Sequence, residues 1–226
     1  NLTITEGTLN TDSSNSYELD VAGDILVENG GTLTTYDSAI EARSLTVDSG
    51  GTYNATTGVT KIQGSRAADS YGLDLKDGTV NHNNGTVRYE GPGATYLNWA
   101  DSHIFNFEMK CTGSCGSALT LYGDESDSVT INGDFFVENQ SGSGALIALS
   151  NTGYTFTVRN NMTMKYYDRT ANEEVQFGYN QTCTAAWYID GTLSLLNANE
   201  KCRIRATSGT LHLGGLINDG GRIDSQ

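Results

Sequence analysis

The chain has 226 residues, a length that fits one domain or two small halves, and Gly (27), Thr (28), Asn (20) and Ser (19) dominate it while hydrophobic residues reach only 37%. Thirteen Lys and Arg against 27 Asp and Glu leave a net charge of −14, which repels a phosphate backbone and sets nucleic acid aside as a partner. No apolar run approaches the roughly 18 residues of a spanning helix, and no signal peptide is visible, so the abrupt start at Asn1 reads as a mature, already processed product.

In chain order, short alternating runs follow one another: Leu2-Thr3-Ile4, Ile25-Leu26-Val27, Leu45-Thr46-Val47, Leu73-Asp74-Leu75, Thr86-Val87-Arg88-Tyr89, Leu119-Thr120-Leu121, Thr155-Phe156-Thr157-Val158 and Cys202-Arg203-Ile204-Arg205. Gly, Asn or Asp bounds each run, and apolar residues at helical spacing are scarce. This pattern predicts an all-β protein of many short strands and tight turns.

The repeats select the architecture. Gly-Thr followed by an apolar residue occurs at Gly7, Gly31, Gly51, Gly78, Gly85, Gly191 and Gly209. Glu28-Asn29-Gly30-Gly31-Thr32-Leu33 recurs 20 residues later as Asp48-Ser49-Gly50-Gly51-Thr52-Tyr53. A period near 20 predicts a β-solenoid (parallel β-helix-like) of about 20-residue coils, about 11 in all, in preference to a sandwich, whose turn signals fall at about 8–12 residues. A longer repeat lies above it: Gly23-Asp24-Ile25-Leu26-Val27-Glu28-Asn29 recurs as Gly133-Asp134-Phe135-Phe136-Val137-Glu138-Asn139. The chain therefore reads as two related halves, a first half over 1–126 with a divergent Cys-containing segment at 91–126, and a second over 127–226.

Four cysteines are present, Cys111, Cys115, Cys183 and Cys202. The spacing lacks the two close pairs of a zinc site, and an even count in an acidic Asn/Thr-rich chain fits an oxidising compartment. Disulfides Cys111–Cys115 and Cys183–Cys202 are expected, the second because its members lie one 20-residue coil apart; a metal site, free thiols or other pairings are the alternatives. Six sequons, at Asn1, Asn54, Asn84, Asn139, Asn161 and Asn180, barely exceed what composition predicts and are candidate N-glycosylation sites. The acidic runs Asp124-Glu125-Ser126-Asp127 and Asn218-Asp219 with Asp224 lack a calcium-loop pattern and read as solvated loops.

Catalytic signatures are sparse. Asn10-Thr11-Asp12 and Arg203-Ile204-Arg205 are faint echoes of segments in pectin-hydrolase-like β-helices, but no Asp-Asp or Gly-His-Gly accompanies them. His82, His103 and His212 are scattered, and no nucleophile motif is present. No catalytic residue, metal or cofactor is expected. Twelve Tyr, among them Tyr36, Tyr53, Tyr89, Tyr96, Tyr122, Tyr166 and Tyr167, fit either the rim of a solenoid core or exposed contacts to a neighbouring subunit or a glycan.

Gly78-Thr79-Val80-Asn81-His82-Asn83-Asn84-Gly85-Thr86-Val87-Arg88-Tyr89-Glu90-Gly91, followed by Ile104-Phe105-Asn106-Phe107-Glu108-Met109, resembles a Gly/Thr/Asn-rich β-solenoid repeat of bacterial and archaeal cell-surface proteins. The resemblance covers about two thirds of the chain and implies an extracellular, non-catalytic, often self-assembling element of surface-layer, adhesin or methanogen-sheath type. The Cys-Thr-Gly-Ser-Cys segment departs from that repeat. A solenoid also ends in unpaired strands, and no capping helix is visible at either end. The expectation is a structural subunit of an extracellular layer, sheath or filament, a polymer of itself. A carbohydrate-binding adhesin domain is the alternative, and a β-helix polysaccharide lyase or hydrolase a more distant one.

Overall fold

The computed structural model describes residues 1–91, 95–100, 103–111, 119–122, 128–139, 145–149, 155–166, 175–177, 186–196, 202–206 and 210–225. These residues form twenty-three strands and no helix, so no helix among them is long and apolar enough to cross a membrane. The chain winds as an all-parallel β-solenoid, its strands falling on three faces.

The first face stacks β1 (Leu2–Ile4), the second half of β3 (Leu19–Val27), the second half of β5 (Ile40–Val47), β8 (Tyr71–Asp74), β11 (Thr95–Asn98), β13 (Leu119–Tyr122), β16 (Ala145–Leu149), β19 (Val175–Phe177), β21 (Cys202–Ala206) and β23 (Arg222–Ser225). The second face stacks the first halves of β3 and β5 on β7 (Val59–Ile62), β10 (Thr86–Tyr89), β12 (Asn106–Cys111), β15 (Phe135–Asn139), β18 (Met162–Tyr166) and the second halves of β20 (Trp187–Leu196) and β22 (Leu211–Asn218). The third face holds β2 (Gly7–Asn10), β4 (Gly31–Thr34), β6 (Thr52–Asn54) and β9 (Thr79–Asn81), then β14 (Ser128–Ile131), β17 (Thr155–Val158) and the first halves of β20 and β22. Because β3, β5, β20 and β22 each run on around a corner, the first two faces and the later part of the third merge into one 19-stranded sheet beside the four-stranded β2-β4-β6-β9. The stack continues unbroken from the first half of the chain into the second, since β12 pairs with β15 and β13 with β16.

The coils are longer than the sequence period suggests. Leu33 opposes Tyr53 at a spacing of 20, where the repeat was read, but Leu73 opposes Leu97 at 24, Phe107 opposes Phe135 at 28 and Phe156 opposes Trp187 at 31. The spacing averages about 24, so there are fewer coils than eleven. The 20-residue copies share one tight corner: Gly31 N–H donates to Glu28 O at 2.9 Å and Gly51 N–H to Asp48 O at 2.8 Å. Gly30 and Gly50 take the left-handed conformation there, with φ of +87° and +82°, which glycine adopts without a Cβ penalty. Other corners carry longer connections, and the register shifts locally at Val21/Asp24, Tyr96/Leu97 and Ile189/Thr192.

Alternate residues of each strand point inward and form columns of like side chains along the axis. One runs Ile25, Leu45, Leu73, Leu97 and Leu121, all buried. From Trp99 onward the core becomes aromatic. Trp99, Phe107, Phe135, Phe156 and Trp187 form a continuous spine with ring centroids 5.5–6.0 Å apart. The Trp99 indole N–H is satisfied by Thr130 O at 3.1 Å, and the buried hydroxyls of Tyr53 and Tyr89 meet Thr60 and Thr95 at 2.7 and 2.8 Å. Each such side chain contributes about 1.5–3 kcal/mol by burial.

Cys202 belongs to this core. Among the described residues its thiol is free and buried. The residue that opposes it on the preceding coil is Val175. Burial pushes the thiol pKa up to about 12. Cys111 closes β12, while Cys115 and Cys183 lie outside the described residues.

Candidate functional site

Two kinds of surface stand out, the terminal rungs and one outward groove. At the C-terminal rung the inward columns simply continue into solvent. Leu193 is 0% exposed, but its register successor Leu216 is 50% exposed; Ile204 is 0% exposed and its successor Ile223 36%. Leu211 and Leu213, which follow Trp187 and Ile189, are half-buried. The N-terminal rung repeats the situation. Leu9 is 36% exposed where its neighbour Leu33 is fully buried, and Leu19 and Val21 are half-buried beside buried Ile40 and Ala42. Both rungs therefore present an apolar interior and strands with one unpaired edge.

The groove lies on the outward side of the second face and encloses about 550 Å³. Its floor is the column Glu108, Phe136, Thr163, Ser194, Ile217, one residue from each of five successive strands. Small Thr163 and Ser194 between larger Phe136 and Ile217 make the hollow. One wall is a ladder at the corner that enters this face. Asn106 Oδ1 accepts the Asp134 N–H at 2.9 Å; Asp134 Oδ1 accepts the Asn161 N–H and Nδ2 at 3.0 and 3.1 Å; Asn161 Oδ1 accepts the Thr192 N–H at 3.0 Å. Each side chain thus caps the strand of the next coil. Gly133 lets the backbone approach so closely that a Cβ there would lie 2.3 Å from Asn106 Oδ1. The same device recurs at the corner that enters the first face, where Asn1 Oδ1 accepts the Asp24 N–H at 2.9 Å beside Gly23. The Gly-Asp repeat is thus one corner chemistry used on two different faces.

Outward columns next to the groove carry alternating charge. Lys61 bridges Glu41 and Glu90 at 3.3 and 3.2 Å, Arg88 meets Glu108 at 2.6 Å, and Lys165 meets Glu138 at 3.9 Å. At another corner Arg43 clamps Asp24 through two hydrogen bonds of 2.8 and 2.5 Å, and that hydrogen bonding holds the Asp24 carboxyl below the ordinary carboxylate range.

The residues singled out from sequence are scattered. Asp12 is exposed, accepting from Ser14 N–H and Asn15 Nδ2 in a turn beyond β2, whereas Arg203 sits in β21 near the other end and pairs with Asp224; the two share no site. Asp224 is held by Arg203 and Arg222, and Asn218 closes a turn on Gly221, so these residues are engaged within the protein. Among the described residues no cluster of three or more His, Cys, Asp and Glu could hold a metal ion. His82 stacks on Phe105 and His212 on Tyr188, with centroids 5.2 and 4.5 Å apart, and His103 is buried. Tyr53, Tyr89 and Tyr166 are core; Tyr36 and Tyr96 are exposed; Tyr122 carries no described side chain and Tyr167 lies outside the described residues.

Of the sequons, Asn1 and Asn161 are ladder members. Asn54 donates to Thr34 Oγ1 at 2.9 Å and accepts from Asn81 at 2.7 Å. Asn84 is exposed in a left-handed turn, φ +59°. Asn139 closes β15, and Asn180 and the run 124–127 lie outside the described residues. The ladder and the groove were not anticipated from sequence; the available signal was an Asn one coil before each Gly-Asp. No family model matches the chain, and no curated protein or solved structure is significantly similar to it.

Proposed function

We propose that the chain is a non-catalytic structural subunit that polymerises head to tail through its terminal rungs, as a component of an extracellular layer, sheath or filament. The observation that carries this reading is the match between the two rungs. Leu216 ends the column that Leu19 begins, Ile223 ends the face that Leu2 opens, and Leu211 and Leu213 end the face that Leu9 opens. A second copy stacked in register buries the exposed apolar residues of all three faces and pairs both open edges. Each Leu or Ile so covered contributes up to about 1.5–3 kcal/mol. The contact is heterologous, with different surfaces on the two partners, and such contacts propagate into open filaments. The likeness of Gly78–Gly91 to cell-surface repeats supports the extracellular setting.

Analytical ultracentrifugation and electron microscopy of the purified chain test this. Concentration-dependent oligomers or filaments are expected, dispersed by Leu216→Lys or Ile223→Lys with strand content unchanged. A wild-type chain that stays monomeric at high concentration refutes the reading.

A further inference from the structure

We infer that the groove on the second face binds an extended, uncharged glycan chain. Its shape comes first. The floor spans four rungs from Phe136 to Ile217, three steps or about 14 Å at an inter-strand spacing of about 4.8 Å, and it runs along the solenoid axis. That is a trough for a linear oligomer, and its volume of about 550 Å³ is of ligand-site size.

The lining chemistry narrows the occupant. The hydroxyls of Thr163, Thr192 and Ser194 face the hollow, and none has a hydrogen-bond partner among the described residues. Asp134 commits Oδ1 to Asn161 and leaves Oδ2 without a partner in the same sense. Hydroxyls that both donate and accept, beside a carboxylate that only accepts, suit a ligand rich in hydroxyl groups. Half-exposed Phe136 at one end and Ile217, 55% exposed, at the other give apolar surfaces for the C–H faces of sugar rings.

Charge excludes the acidic polymers. No Lys or Arg lines the groove, Asp134 and Glu108 both do, and the chain carries −14 overall. A uronate or sulfated glycan would bring like charge against the Asp134 carboxylate, which has no cation partner among the described residues, whereas Glu108 is already engaged by Arg88. The ladder Asn106–Asp134–Asn161–Thr192 fixes the wall through backbone hydrogen bonds to each next coil, so the site is held rigid before a ligand arrives. This inference does not depend on polymerisation, because the groove lies on a lateral face.

Calorimetric titration of the intact chain with cellohexaose, N-acetylchitohexaose and hexagalacturonate tests it. Saturable binding of at least one of the two uncharged hexasaccharides is expected, with hexagalacturonate at least tenfold weaker. Phe136→Ala should weaken the bound oligomer at least tenfold and Thr163→Val at least threefold, while remote Tyr17→Ala changes nothing; Thr163→Val serves where Phe136→Ala disturbs the fold. Absence of binding by both uncharged probes, equal binding of hexagalacturonate, or full affinity in the Phe136→Ala and Thr163→Val variants overturns the inference.

Discussion

Phe135 sits at the middle of the aromatic spine, 1% exposed, with Phe107 at 5.5 Å and Phe156 at 6.0 Å, and its replacement by alanine tests how the solenoid distributes stability. Truncating a buried phenylalanine costs about 3–5 kcal/mol, because the cavity cannot be refilled by side chains fixed in neighbouring rungs. Phe135→Leu keeps most of the volume and should cost under about 1.5 kcal/mol. In a solenoid each coil contacts only its neighbours, so the loss should be local. Hydrogen exchange read by mass spectrometry should show protection falling at least 100-fold, the equivalent of about 3 kcal/mol, in β12, β15, β17 and β18. The corner and strands from Gly31 to Asn54 should keep theirs. A Phe135→Ala cost below about 1 kcal/mol, or protection lost evenly along the chain, would refute the column-by-column account of the core.

Gly133→Ala places a Cβ 2.3 Å from Asn106 Oδ1 and should cost about 1–3 kcal/mol in urea unfolding, with the ladder at the groove wall displaced. Asp24, whose folded pKa is depressed chiefly by its hydrogen bond from Arg43, stabilises the fold fully above the unfolded carboxylate value of about 3.9 and loses that contribution as pH falls through the folded value. Asp24→Asn should therefore flatten the acid limb of the stability curve by less than about 1 kcal/mol, since Arg43 is 42% exposed; an unchanged limb contradicts it. Cys202, with its thiol raised to about 12 by burial, should resist maleimide at pH 8 in the native chain and label fully on unfolding, whereas a Cys183–Cys202 peptide in unreduced digests refutes the free-thiol assignment.

The all-β class was legible because Gly, Asn and Asp bound every short run, and the tight corner at Glu28–Gly31 and Asp48–Gly51 is local enough for six residues to specify it. Coil length was not legible. A period of 20 held from Leu33 to Tyr53, but the corners after Leu45 and Phe107 add eight residues each, which no fixed-period comparison detects. The groove was hidden for the same reason. Its floor residues are separated by 28, 27, 31 and 23 positions, so their common column exists only once the register is known. Asn1, Asn106 and Asn161 looked like composition or sequons, although an oxygen one coil below a Gly-Asp step is what caps the next strand.

The ladder bonds of every rung run parallel to the solenoid axis, and this gives the molecule a mechanical anisotropy. Tension applied across whole terminal rungs loads the bonds of all three faces at once, and rupture must break a full coil's worth together. Tension applied to one chain end instead peels a single strand from its neighbour, and successive coils give way one after another at low force. A rod built this way resists stretching between laterally anchored surfaces but unravels when pulled by its thread, so the point of attachment, more than the total number of bonds, decides the load it bears.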